Sequence, residues 1–473
     1  MYTFISNLFI ILVREGSQMA STKNVNDQST DLHQFGYEQE LSRKLTCKDL
    51  IIYGLIAMVP VAPFGIYGSV VVPAQGMVAM AYLVGMVAML FTAISYSQMS
   101  QAFPIAGSVY AYAQRGIGPV TGFISGWMIM LDYIFIPALL YVLSANSLKG
   151  LLPGISPVVW LVLFCAINTL VNIRGVEFTA QANKLFIIIQ LITLAIFFAC
   201  GIWGLYHGAG EGVTLKPFYN PATFSPTAIL SAVSIAVLSF LGFDGVSTMA
   251  EETKGGNKVV GKAILWTLFL IGLLFVSQTY LAALIHPNYK TLGNLNTAFY
   301  KIAYQVGGQP LLVLTTVITI LALGVASALV MQAALSRVLY SMARDKNMPA
   351  IFATIHPKYK TPYVSTLLVA GVSIVIGILF MNNSTTLSSV VNCGALFSFC
   401  VLHLAVINHY ILRNHSQDYL RHLLVPVIGF IIVFAVLGNL HPVAKVLGTG
   451  WFVIGIVYYF IMRKVSGHSI NLK

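Results

Sequence analysis

Charge is what this sequence has least of. Asp, Glu, Lys and Arg make up 8% of its 473 residues, against about 25% in a soluble domain. A soluble fold of this size has too few charges here to cover its surface. An ordinary soluble enzyme and a disordered chain are therefore excluded, and 58% hydrophobic residues with a mean hydropathy of +0.83 point the same way. Cysteine is also scarce. Cys47, Cys165, Cys200, Cys393 and Cys400 are odd in number and contain no C-x-x-C pair, which excludes a disulfide scaffold and reads as inert packing. Short alternating segments of the barrel type are lacking too. The apolar residues come in long runs, so the expected class is an all-α integral membrane protein in a lipid bilayer.

What is present is a series of twelve apolar runs: about 49–72, 76–97, 119–145, 156–172, 182–205, 226–249, 261–285, 309–336, 362–381, 387–411, 423–440 and 447–463. Each is about the length that crosses a bilayer as a helix. With the N-terminus placed in the cytoplasm, 21 of the 26 basic residues fall on the inner side. That bias supports twelve spans with both termini inside. It also accounts for the net charge of +12 without a nucleic acid partner. Residues 1–42 read as a cytoplasmic tail, with Met19 a possible true start, and 466–473 as a second tail. Leu8 to Val13 is apolar but too short to span.

Two spans carry breaks. The first reads Met58-Val59-Pro60-Val61-Ala62-Pro63-Phe64-Gly65-Ile66-Tyr67-Gly68, and the sixth reads Ser239-Phe240-Leu241-Gly242-Phe243-Asp244-Gly245. Proline removes a backbone donor and glycine tolerates irregular dihedrals, so both helices are expected to be interrupted. Five spans separate them, so the two run in opposite directions. Paired interrupted helices in corresponding positions point to a transport site. The bland alternative is that Pro and Gly are simply common in membrane helices.

A half-helix N-terminus suits an anion, and unwound carbonyls suit a cation. An amino acid offers both charges. Gly65 to Gly68 are thus expected to receive a carboxylate, and the carbonyls of Leu238 to Leu241 an ammonium. Of the acidic residues only Asp132 and Asp244 lie deep in a span, where a carboxylate is costly. Asp244 either caps freed N–H groups or serves substrate or proton. Asp132 pairs with a neighbouring polar group or is functional. Glu251 and Glu252 read as a solvated boundary. His403 is either a proton relay or a hydrogen-bonded packing residue, the latter preferred. Tyr67, Phe240 and Phe243 either gate the site or pack beside it. Gly118, Gly122 and Gly126 read as close helix packing. No P-loop, H-E-x-x-H or Cys/His spacing is present, so no cofactor and no metal are expected, and no enzyme chemistry.

Three segments carry a resemblance: Pro60 to Gly68; Phe91 to Tyr96 with Phe103 to Tyr112 and Gly122 to Trp127; and Phe240 to Gly245 through Glu251-Glu252. On these the chain resembles the amino acid–polyamine–organocation transporter superfamily over about residues 43–465. It looks most like bacterial putrescine importers and related amino acid permeases, particularly in Leu131-Asp132-Tyr133. The resemblance implies a leucine-transporter-like fold. Its two inverted five-helix repeats would lie at about 49–205 and 226–411, followed by two further helices at about 423–463. It implies that Pro63, Phe64, Gly65, Ile66, Tyr67 and Gly68 contact a substrate carboxylate. Leu238, Ser239 and Leu241 would offer carbonyls to its amino group, and Phe240 and Phe243 would form part of a gate. Gln190 stands where proton-coupled relatives carry a lysine, and Gly65 where the putrescine importers carry an acid. The expected function is import of an amino acid across the cytoplasmic membrane by alternating access, with a proton as the expected coupling ion. The alternatives are a polyamine importer, an amino acid/amine exchanger and, in a different class, a substrate sensor.

Overall fold

A computed structural model describes residues 40–151, 154–256, 258–293, 295–440 and 442–465. The reading of Met19 as a start, and of the two tails apart from residues 40–42, lies outside the described residues. Among these residues the fold is helical throughout, with a single isolated bridge between Leu45 and Thr253.

Among the described residues nine helices are long and apolar enough to cross a membrane, and a bent pair passes the same test as one span. That pair is α1 (Cys47–Met58) and α2 (Ala62–Val71), which meet at 44°. Then come α3 (Val78–Ala102), α4 (Val109–Gly116), α5 (Pro119–Leu151), α6 (Pro157–Ile173) and α7 (Val176–Tyr206). α8 (Pro226–Ala236) tightens into 3-10 turns at Val237–Phe240. After an interruption the chain continues as a second 3-10 coil, Phe243–Glu252. α9 (Lys258–Ile285), α10 (Ala298–Leu321) and α11 (Ala328–Arg344) follow, with a π-helical turn, Ala322–Ser327, joining the last two. α12 (Tyr363–Leu379), α13 (Ser384–Val406), α14 (Val425–Gly438) and α15 (Pro442–Val465) complete the bundle. α6 and α12 are apolar helices of 17 residues. That is about 25 Å, just short of a hydrocarbon core of about 30 Å.

The helix bounds fall within a few residues of the apolar runs, with one exception. The run at 309–336 opens at a kink, because Gly308 takes φ 60° and the turns from Ala298 form a separate stretch ahead of it, and it falls short only at its far end, where the helix continues to Arg344. Proline and capping residues set several starts. Thr46 and Asp49 form a reciprocal capping box ahead of α1, and Pro157 and Pro226 each sit in a first turn where no N–H is missed.

Burial sorts the helices into inner and outer sets. The apolar window of α5 is 78% buried, whereas that of α15 is 22% buried and faces outward. α3 lies along α9, α13 along α5, and α1 against α9 and the 243–252 coil. The glycine pattern on α5 is resolved residue by residue. A Cβ at Gly122 would lie 2.4 Å from Gln114 Cβ, and one at Gly126 2.8 Å from Tyr110, so α4 packs directly on the α5 backbone. Gly118 is a correction to the expected packing triplet. It precedes α5, and a Cβ there would meet nothing within 4 Å.

Candidate substrate site at the two breaks

The first break is Val59-Pro60-Val61. Pro60 has no N–H to continue the helical ladder, and Val59 adopts φ 55°, an uncommon conformation for a β-branched residue. Membrane helices tolerate such a break only where other groups take up the freed carbonyls. Ser327 Oγ donates to Ala57 O at 2.9 Å, from the π turn between α10 and α11, and Gln278 Nε2 on α9 donates to Pro60 O at 2.9 Å. Within the break, Ala62 N donates to Val59 O at 2.7 Å and Phe64 N to Val61 O at 3.0 Å.

The break falls within the Pro/Gly segment read from the sequence, and Gly65 to Gly68 follow it inside α2. Pro63 falls in the first turn of that helix, where its missing donor costs nothing. The two glycines differ. A Cβ at Gly68 would lie 2.4 Å from Leu295 O, so this glycine admits the 295–297 turn against the helix. A Cβ at Gly65 would meet nothing within 4 Å, so an open space lies beside the α2 backbone. Ile66 is half-buried. Phe64 stacks on Phe299 with centroids 4.0 Å apart, Phe197 lies 4.8 Å from Phe299, and Tyr67 meets Phe299 edge-on at 5.9 Å. The buried Tyr67 hydroxyl has no protein partner.

The second break falls where the sequence places it, at Leu241-Gly242. Leu241 is extended and Gly242 takes φ 114°, a left-handed value that suits glycine. Leu238 O, expected to be open to a ligand, accepts from Leu241 N at 3.2 Å. Asp244 caps the coil that follows. Its Oδ1 accepts from Gly242 N at 3.2 Å, and its Oδ2 accepts from the Tyr133 hydroxyl of α5. Ser239 Oγ pairs with the Tyr82 hydroxyl at 3.3 Å. Phe240 packs edge-on against Phe275 at 5.2 Å, and Phe243 contacts Tyr96 and Phe399, each at 5.7 Å.

The two breaks adjoin. A Cβ at Gly242 would lie 3.1 Å from Ala57 Cβ and 2.7 Å from Met331 Cε, so the second break rests on the end of α1. From this junction α2 runs toward the Phe299 cluster, and the 243–252 coil runs the other way.

The remaining polar candidates are spread. Asp132 is 1% exposed and neither carboxylate oxygen has a hydrogen-bond partner. It precedes Tyr133, which holds Asp244, and so lies beside the second break. Gln190 is buried on α7 with both amide atoms unpartnered, as is Asn183 Oδ1 one face-repeat earlier. α7 packs on α1 and the π turn. His403 stands apart on α13. Its ring pairs with Thr92 Oγ1 at 3.3 Å and Ser95 Oγ at 2.9 Å, and Gly429 packs on its face, as a packing residue does.

Glu251 and Glu252 are not a solvated boundary. Both are 1% exposed at the far end of the coil. Arg344 clamps Glu251 through two bonds, of 3.0 and 2.7 Å, and Ala106 N adds a third at 2.8 Å. Arg337 pairs with Glu252. The chain ahead of α1 joins the same knot: Lys44 N and Leu45 N both donate to Glu252 O at 3.0 Å, and Tyr340 donates to Glu40 at 2.7 Å. Bidentate, buried pairs of this kind hold geometry tightly, and removing one partner is far costlier than the pair's net worth. The junction of the breaks thus has buried ion pairs at one end and packed aromatic rings at the other. Sequence reasoning missed Arg337, Arg344, Gln278 and Ser327. The available signal was a polar residue inside or ending an apolar run, without a hint of its partner.

Comparison with known proteins agrees with this architecture. A family model described as amino acid permease matches residues 49–471. The low-affinity putrescine importer PlaP of Escherichia coli (strain K12) is 31% identical over 437 residues, covering 90% of this chain and 94% of that protein. The branched-chain amino acid permease BcaP of Bacillus subtilis (strain 168) is 27% identical, and the methylthioribose transporter of the same organism 25%. Each comparison covers 90% of this chain and 94% of the relative.

Proposed function

The chain belongs to the amino acid permease family, as a multi-pass membrane transporter and not an enzyme, and from that premise we propose that it carries an amino acid across the cytoplasmic membrane. The carrying observation is the junction of two oppositely running broken helices, with a space free of side chains at Gly65. Transport proceeds by alternating access. The ion-paired mouth at Glu251 and the aromatic mouth at Phe299 open in turn around a solute held at the junction. Reading α6 and α12 as spans gives twelve, arranged as two inverted five-helix repeats plus α14 and α15 in one unit over 43–465. Both termini, and the Glu251 mouth, then lie on the cytoplasmic side, where basic residues concentrate.

In this reading the substrate carboxylate faces the α2 end of the junction at Pro63 to Gly68. Its ammonium faces the unwound stretch from Ser239 to Leu241. Apolar Phe64, Phe240 and Phe243 exclude water. A proton supplies the driving force. A second reading, import of a diamine such as putrescine, is favoured by the likeness to PlaP and by two carboxylates beside the second break. Against it, Gly65 offers no acid on the other side of the junction.

The test is uptake by purified protein in liposomes, across a panel of radiolabelled amino acids and putrescine, with the outside made acidic. Accumulation of an amino acid that collapses with a protonophore is the expected result. Accumulation of putrescine alone selects the second reading. Binding without flux of any solute would overturn both and leave a sensor.

A further inference from the structure

Asp132 has the least compensated charge in the described interior. Asp244, its neighbour, is held as a carboxylate is held, by the Tyr133 hydroxyl and the Gly242 N–H. Asp132 has no donor on either oxygen and is sealed from water. The two carboxylates feel each other's charge directly. An ionised, unpartnered acid beside a second one is among the most expensive arrangements a membrane interior can hold. The site therefore requires one positive charge that the protein itself does not supply.

The surrounding groups confirm that shortage. Those that reach Asp132 electrostatically are Asp244 on the coil and Tyr96 on α3, with Tyr133 on its own helix. None of these is a cation. From α11, Arg337 and Arg344 are committed to Glu252 and Glu251, and His403 on α13 to Thr92 and Ser95. A Cβ on Gly394 of α13 would lie 2.4 Å from Met128 O and 2.9 Å from Asp132 N, so the two helix backbones meet at Asp132.

We propose that Asp132 is the residue that carries the coupling proton, bound from one side of the membrane and released to the other, while Asp244 stays fixed as the cap of the broken helix. The step is a simple one. A proton binds a carboxylate oxygen of Asp132, the site becomes neutral for the crossing, and the same proton leaves when the opposite mouth opens. Because Tyr133 follows Asp132 on one helix and holds Asp244, the protonation state of Asp132 is felt at the second break. The proposal rests on the transport reading above, and it places coupling at α5 rather than at Gln190 on α7, whose amide does not titrate.

The experiment uses the full chain in liposomes, with the substrate found in the panel. A gradient of one pH unit drives about a tenfold accumulation per proton carried. Wild-type protein is expected to approach that ratio, whereas Asp132→Asn falls to about onefold. The variant should nevertheless retain counterflow exchange of substrate at equal pH. Its substrate affinity should be flat with pH, where that of the wild type varies, and Asp132→Glu should restore accumulation. Gradient-driven accumulation by Asp132→Asn at the wild-type ratio would overturn the proposal. So would loss of counterflow and binding by a folded Asp132→Asn protein, which would make the residue a ligand of the substrate ammonium. If Asp132→Asn does not fold, the test passes to the wild type and Asp132→Glu, with a pH electrode recording proton movement during uptake. Substrate flux without proton movement then overturns the proposal, and flux with it that is shifted along the pH axis in Asp132→Glu supports it. A wild type that moves no solute overturns the transport reading, and the proposal with it.

Discussion

The two breaks solve one problem in opposite ways. At Val59-Pro60-Val61 the freed carbonyls are taken by side chains from elsewhere: Ser327 on the π turn and Gln278 on α9. At Leu241-Gly242 the main repair is local, because Asp244 reaches back two residues to cap Gly242 N, with Tyr133 steadying it. The first break is therefore tied to the bundle through its carbonyls, whereas the second carries its own brace, steadied by Tyr133 at the root and by the ion pairs of Glu251 and Glu252 at the far end. A half-helix braced at its root and bolted at its tip is suited to move as one piece once the bolts release.

Substitutions sharpen this contrast. The largest effect is expected at the second break. Asp244→Ala strands two buried donors at once and should lower stability by about 3 kcal/mol or more, since each unsatisfied buried group costs about 1–3 kcal/mol. Unfolding in detergent micelles, followed by heating or by titration with a harsh detergent, measures it. A loss no larger than that of a surface variant would show that the brace is idle. Ser327→Ala removes one of the two outside donors at the first break. It should cost about 1 kcal/mol in the same assay, because Gln278 remains in place. If it matched Asp244→Ala, the two breaks would be equally dependent on single bonds and the contrast would fail. The smallest stability effect belongs to Gly65→Ala. The added methyl enters open space within a helix, so stability should hold or rise by up to about 1 kcal/mol. Substrate KM should nonetheless change, as the methyl enters the space assigned to the solute. An unchanged KM would remove Gly65 from the site.

The sequence reading reached the helices because each apolar run is long enough to be unambiguous, and it reached the second break because Gly242 is followed by a residue able to cap it. It located the first break only to the stretch from Met58 to Gly68. Two prolines stand there, and only Pro60 interrupts the ladder, while Pro63 begins the next helix. Nothing local distinguishes the two roles. The buried ion pairs were illegible for a different reason. Glu251 lies 93 residues from Arg344 and Glu252 lies 85 from Arg337. Only the folded bundle reveals that these acids are buried rather than wetted. Ser327 and Gln278 were hidden in the same way, since a polar residue in an apolar run announces that it has a partner without saying where.

The coil from Phe243 to Glu252 stores length. A 3-10 helix rises about 2.0 Å per residue and an α-helix about 1.5 Å, so these ten residues are about 5 Å longer than they would be in α form. Rewinding them would also turn the tip by a little over half a revolution, since the two helices make about 3.0 and 3.6 residues per turn. Retraction and rotation are thus geared together like a screw. The carboxylate of Glu251 cannot be drawn toward Gly242 without also being swung away from the guanidinium of Arg344.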